Sequence, residues 1–212
     1  MSEHALSALG AGFSSEALGS QAVFRAVLQA LSQPGQPVPL DHDAELPAAG
    51  HGASAAALLA LLDSDCTLWL SPRLAASNAG LWLRFHTGCQ LVARPELARF
   101  AWVAQGDALP PLPTFAQGSD AYPEQSATCF IDVEALTVGK PAGGMWCLSG
   151  PGIRGVQQLR VGGLPADLER QWADNHAAFP RGVDVLLATT HQLAGLPRTT
   201  RIASAVEARA CT

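Results

Sequence analysis

Apolar positions recur at helical spacing along residues 20–31. Val23, Phe24, Val27, Leu28 and Leu31 fall on one face, and Pro34-Gly35 stops the run. The spacing predicts a helix there, followed by a polar, proline-punctuated stretch over 36–52. Residues 55–62 are alanines and leucines with no polar face, which predicts a buried helix with Ser54 as its cap. Asp63-Ser64-Asp65 breaks that helix, and the apolar run over 66–70 predicts a buried strand. Over 72–85 the pattern predicts a helix that turns Ala79, Trp82 and Phe85 or His86 inward. Strands are expected at 91–92 and 100–103, with a short helix at 95–98 between them.

Residues 105–123 hold Pro110, Pro111 and Pro113 among turn residues and predict one long loop. Its flanks read as core strands, so an ordered insertion or partner-binding loop is expected rather than a domain boundary. The second half reads β-β-β-α-β-β. Strands are expected at 126–133, 145–149 and 156–161, a helix at 166–178 and a strand at 183–188. That last run is almost continuously apolar, which predicts cover on both faces. Residues 192–202 read as a turn into a final edge strand. Elements of both kinds predict an α/β domain spanning 1–212, a three-layer α/β/α arrangement around a mixed sheet. No repeat of solenoid or propeller spacing interrupts it.

Composition narrows the function classes. Of 212 residues, 48% are hydrophobic and 15% charged, too apolar for a disordered chain. A net charge of −5 argues against nucleic-acid binding. The five cysteines are odd in number and form no CxxC pair, against a disulfide framework or a cysteine zinc site. The first residues lack the basic start of a secretory signal, and the longest apolar run, 55–62, is far short of the ~20 residues that span a bilayer. The expectation is a soluble, cytoplasmic protein with no membrane role.

Several chemical motifs fail on context. Gly150-Pro151-Gly152-Ile153-Arg154-Gly155 has the letters of a dinucleotide fingerprint, but a strand-like segment follows it where a helix is required. It reads as a glycine-rich turn. No P-loop and no GxSxG elbow occur. Asp41-His42-Asp43 with His51 matches no zinc spacing, so no metal is expected. Lys140 is the single lysine; set between Gly139 and Pro141, it reads as an exposed turn residue rather than a Schiff-base amine. No cofactor is expected. Two segments rise above this background: Arg84 with His86 and Thr87 before a glycine turn, and Arg198 with Thr199 and Thr200 after Pro197. Guanidinium forks and hydroxyls suit phosphate or carboxylate oxygens. The alternative is that Arg84 and Arg198 pair with Asp65 or Asp184 as structural bridges.

A set of short motifs occurs in a fixed order: Phe24-Arg25, Ala30-Leu31-Ser32-Gln33-Pro34-Gly35, Leu61-Leu62-Asp63-Ser64-Asp65 with Trp69-Leu70, and Leu83-Arg84-Phe85-His86-Thr87. Pro123-Glu124 with Ala127-Thr128 follows, then Leu148-Ser149-Gly150-Pro151-Gly152-Ile153, Asn175 with Phe179-Pro180-Arg181-Gly182-Val183-Asp184, and Leu196-Pro197-Arg198-Thr199-Thr200. From about residue 13 to 202 the chain resembles the H-subunit (PhnH) family of the bacterial carbon–phosphorus lyase system, which degrades phosphonates; the 105–123 loop and the 203–212 tail fall outside the matching motifs. The resemblance implies a fold like the large domain of pyridoxal-phosphate transferases without their cofactor site, a homodimer, and a core complex with G, I and J subunits. It also implies that, with G, I and L subunits, the protein supports transfer of the ribose 5-triphosphate group of ATP to methylphosphonate. Adenine leaves and alpha-D-ribose 1-methylphosphonate 5-triphosphate forms. The I subunit is the implied carrier of the chemistry, and the J subunit of the radical cleavage. In this chain no nucleophile–base pair stands out, which agrees with an accessory subunit holding a phosphonate or nucleotide ligand at most. The competing expectation is an autonomous enzyme or binding module for a phosphorylated small molecule at a dimer cleft.

Overall fold

The computed structural model describes residues 9–139 and 144–204, with the side chain of Ser204 excepted. The expectations for Lys140 and for the tail beyond Ser204 lie outside the described residues. The first helix, α1, runs Glu16–Ser32. It is followed by β1 (Val38–Pro39), α2 (Gly52–Leu61), β2 (Thr67–Leu70), α3 (Pro72–Ala75) and α4 (Ala79–Thr87). Next come β3 (Gln90–Leu91), β4 (Phe100–Val103), β5 (Thr128–Asp132), β6 (Ala135–Val138), β7 (Trp146–Ser149) and β8 (Gln157–Gly162). The chain continues with α5 (Leu168–Ala177), β9 (Asp184–Ala188), β10 (Gln192–Leu196) and β11 (Arg201–Ser204).

Seven strands form a mixed sheet in the order β1-β10-β9-β5-β4-β2-β3. β3, β2, β4, β5 and β9 are parallel neighbours, while β10 runs antiparallel to both β9 and β1. The central strands alternate cleanly between the two faces, because successive side chains of a strand point to opposite sides. Phe130 and Leu186 pack with Val23, Val27 and Leu58 on one face. Cys129, Ile131, Val185 and Leu187 pack with Leu148, Leu168 and Trp172 on the other. The apolar run over 183–188 is therefore covered on both sides, as its composition demands.

The layers differ from the expected pattern on the second face. α1, α2 and α4 cover the first face, but a four-stranded antiparallel sheet, β11-β7-β8-β6, shares the other with α5. The second layer is thus mostly strand. β6 has no counterpart among the expected elements, being a short strand with one buried residue, Leu136.

Three boundaries move for local reasons. Ser54 is not the cap of α2; His51 holds that position, and Ser54 lies inside the helix with its hydroxyl donating to Asp132. The single helix expected over 72–85 is two, α3 and α4, because the chain breaks at Ala76–Asn78 between them. The segment 192–202 splits at Pro197 into β10 of the large sheet and β11 at the edge of the small one. In α1, Phe24 and Leu28 share the apolar stripe but remain about half exposed, while Val23, Val27 and Ala30 are buried. Cys66, Cys89, Cys129 and Cys147 are free thiols. Among the described residues no helix is long and apolar enough to cross a membrane.

Candidate functional site

The parallel strands β2, β4, β5 and β9 end on the same side of the sheet, so their C-terminal residues and the loops after them form one rim. A cleft of about 590 Å³ opens there, lined by Gly50, His51, Arg73, Gln105, Gly106 and Asp132 among others. Crevices outside the carboxyl ends of parallel strands are where open α/β sheets hold ligands.

Asp132 is the last residue of β5 and only 1% exposed. Its Oδ1 accepts hydrogen bonds from the Ser54 hydroxyl (2.6 Å) and the Trp102 indole N–H (3.0 Å). Its Oδ2 accepts from the His51 backbone N–H (2.8 Å), at the start of α2. The carboxylate therefore answers the positive end of that helix. Burial pushes its pKa up, while the three donors oppose that shift. The His51 ring bridges two oxygens: Nδ1 lies 3.1 Å from the Ala188 carbonyl and Nε2 3.1 Å from Gln105 Oε1. A ring with one proton satisfies both only if the Gln105 amide turns to present its NH2. At the mouth, Arg73 Nη1 donates to the Gln105 carbonyl (2.7 Å), and its Nε lies 4.0 Å from Asp107 Oδ1. Asp107 also accepts from the Ser71 hydroxyl (2.6 Å) and the Arg73 backbone N–H (2.9 Å), which fixes the turn after β2.

The two arginine segments read from the sequence stand apart from this cleft and from each other. Within Arg84–Thr87 the helix itself divides the residues, because two positions on α4 lie about 200° apart around the axis. Arg84 is exposed beside an apolar groove that includes Leu70, Gly80, Leu81 and Leu91. His86 turns the other way. Its Nε2 donates to the Gly10 carbonyl (3.0 Å), which also accepts from the Trp82 indole (3.0 Å), so the pair staples the N-terminal segment to α4. Thr87 donates to the Leu83 carbonyl (2.8 Å) and accepts from the Cys89 N–H (3.2 Å), closing the helix end. His86 and Thr87 border a separate cleft with Glu16 and Asp63.

Arg198 follows β10. Its Nε donates to Asp184 Oδ1 (3.1 Å) and its Nη2 to Asp184 Oδ2 (2.5 Å) and to the Ser126 hydroxyl. Nη1 reaches the carbonyls of Pro123 (3.1 Å) and Pro180 (3.3 Å). The guanidinium ties β9, the segment before β5 and the Phe179-Pro180 turn together. Thr200 is fully buried and its hydroxyl has no partner; Thr199 lines a shallow cleft with Glu124 and Phe179. The glycine-rich segment is the turn between β7 and β8, and a Cβ at Gly152 would fall 2.3 Å from the Ser32 carbonyl oxygen. Among the described residues no three His, Cys, Asp or Glu side chains gather as a metal site.

Sequence reading missed Asp132 and His51 as partners. The available signal was a lone carboxylate in the otherwise apolar Phe130-Ile131-Asp132-Val133, since a buried acid needs donors.

Comparison with known proteins gives consistent results. A family profile described as bacterial phosphonate metabolism protein (PhnH) matches residues 11–203. The chain is 38% identical over 190 residues to the alpha-D-ribose 1-methylphosphonate 5-triphosphate synthase subunit PhnH of Rhizobium meliloti (strain 1021), covering 90% of this chain and 93% of that protein. It is 35% identical over 182 residues to the putative C-P lyase subunit protein HtxG of Stutzerimonas stutzeri, covering 86% of this chain and 85% of that one.

Proposed function

Because the chain belongs to the PhnH family of bacterial phosphonate metabolism proteins, we propose that it is a subunit of a ribose 1-methylphosphonate 5-triphosphate synthase. The observation that carries this reading is identity running through nearly the whole of both chains, so that the same core is shared rather than one module. With G, I and L subunits it supports transfer of the ribose 5-triphosphate group of ATP to methylphosphonate, with loss of adenine. It acts without turnover of its own. Asp132, its most deeply buried acid, already accepts three protein hydrogen bonds, an arrangement that holds structure and orients a ligand rather than attacking one.

The wider assembly is a homodimer within a cytoplasmic core complex with G, I and J subunits. Two exposed regions supply surface for contacts: Phe24 with Leu28 on α1, and Leu81, Phe85 and Leu91 around Arg84. Arg84 is the member of the sequence-derived anion set whose guanidinium remains exposed for a carboxylate or phosphate, whereas Arg198 is committed to Asp184. The fold is that of the large domain of pyridoxal-phosphate transferases used without the cofactor. A yellow protein that loses its colour on Lys140→Ala would overturn that part.

Co-expression with the partner subunits tests the main reading. Tagged chain is expected to retain G, I and J through purification, and adenine release from ATP is expected only when it joins G, I and L. A tagged chain that elutes alone beside assembled partners overturns the subunit role. Adenine release by the isolated chain supports the competing reading, an autonomous enzyme for a phosphorylated small molecule.

A further inference from the structure

We propose that the cleft at the carboxyl ends of β2, β4 and β5 is a binding site for a phosphorylated sugar, with a sugar hydroxyl at Asp132 and the phosphate at Arg73. The inference goes beyond the subunit role and stands on the geometry of the cleft alone. Its volume, about 590 Å³, lies in the range of small-molecule sites, roughly 300–1,000 Å³.

The two ends of the cleft differ in chemistry. At its floor, Asp132 accepts three hydrogen bonds. A carboxylate offers about four acceptor positions, so one remains for a ligand donor. That donor is a neutral hydroxyl. A phosphate there would face a buried carboxylate, which is costly. An ammonium brings three donors to a floor that leaves one carboxylate position for them, whereas a hydroxyl brings one. Gln105 and His51 add polar wall without adding negative charge.

At the mouth, the charge reverses. The Arg73 side chain is 69% exposed, yet its position is fixed by the bond from Nη1 to the Gln105 carbonyl. With Nη1 on the Gln105 carbonyl and Nε 4.0 Å from Asp107 Oδ1, Nη2 remains at the outer edge of the fork to pair with a phosphate oxygen. Gly106 leaves room beside the arginine: it has φ +83°, and a Cβ there would lie 3.3 Å from Arg73 Nη1. Gly50, also at φ +83°, lets the cleft wall pack directly on the buried Trp102 ring, which a Cβ would meet at 2.2 Å.

Calorimetry on the full chain with ribose 5-phosphate, ribose, inorganic phosphate and phosphoethanolamine tests the site. Ribose 5-phosphate is expected to bind, with ribose and phosphate each about tenfold weaker or worse. Arg73→Ala is expected to weaken binding about tenfold or more at unchanged melting temperature, since the side chain is exposed. Gln105→Leu, which releases both His51 and the wall, is expected to weaken it as well. Absence of heat with ribose 5-phosphate at millimolar concentration overturns the proposal. So does binding that both variants leave unchanged, or a preference for phosphoethanolamine. Co-purification with the partner subunits is measured on the same samples. Intact assembly without sugar-phosphate binding rejects the site and keeps the subunit reading; binding without assembly does the reverse.

Discussion

Arg198 and Asp184 form a two-bond ion pair, Nε to Oδ1 at 3.1 Å and Nη2 to Oδ2 at 2.5 Å, with side chains only 11% and 26% exposed. A further bond runs from the Arg198 backbone N–H to Asp184 Oδ1 (2.8 Å). The guanidinium thus fixes the turn that carries the chain from the large sheet to the small one.

Breaking a largely buried pair leaves the surviving charge uncompensated. Arg198→Ala is expected to lower unfolding stability by about 3 kcal/mol, read from urea denaturation. Arg198→Lys is expected to recover only a minor part, because an ammonium cannot reproduce the fork that also reaches Pro123, Pro180 and Ser126. Full recovery by lysine would show that charge alone matters there.

Asp132 makes stability depend on pH in a definite direction. Its pKa is raised in the folded state above the ordinary 3.8, so the folded protein holds the proton more tightly than the unfolded chain. Between the ordinary and the raised value, stability falls as pH rises, and the penalty stays constant above that window. Asp132→Asn lacks this titration and leaves a donor facing donors, so it is less stable than the wild type. The difference is expected to narrow as pH rises through the window. Denaturation of both proteins across the acid range checks it, and a widening gap would contradict the burial argument.

α1 lies directly over β10 at Gly195, where a Cβ would fall 2.3 Å from the Ala30 carbonyl oxygen and 2.8 Å from Leu31 Cα. Gly195→Ala must push the helix off the sheet and is expected to cost about 3 kcal/mol or more. Gly139, with nothing within 4 Å of an added Cβ, is the matched control and should change little on substitution by alanine. Thermal melts of both variants separate close packing from loss of backbone freedom.

Arg84 is exposed on α4, so its removal leaves the core untouched. Arg84→Glu is expected to shift the melting temperature by no more than a surface substitution does, about 0.5 kcal/mol in stability, while reducing recovery of partner subunits. Unchanged recovery would remove Arg84 from the contact surface.

Much of the fold was legible because periodicity is local. The stripe at Val23 and Val27, the alanine-rich α2 and the apolar run of β9 follow from side-chain spacing and burial alone. Strands β7 and β8 and a final edge strand were legible in the same way, but β6 was not, because it is short and mostly exposed, and nothing local says that these strands form a second sheet. The sequence-derived anion set illustrates the other limit. Arg84 and His86 are two residues apart in the chain yet serve different clefts, because a helix turns them to opposite sides.

By itself the sequence determined most of the elements, many core-facing positions and the family motifs, all of which depend on neighbours along the chain. Tertiary structure decided which polar groups meet. Asp132 joins Ser54 and His51 only because β5 ends beside the start of α2, and the His51 ring reaches the Ala188 carbonyl only because β9 lies next to β5. Strand order brings together residues far apart in sequence, and no local pattern encodes that order. The chemistry of the cleft, and the commitment of Arg198 to structure, follow from it.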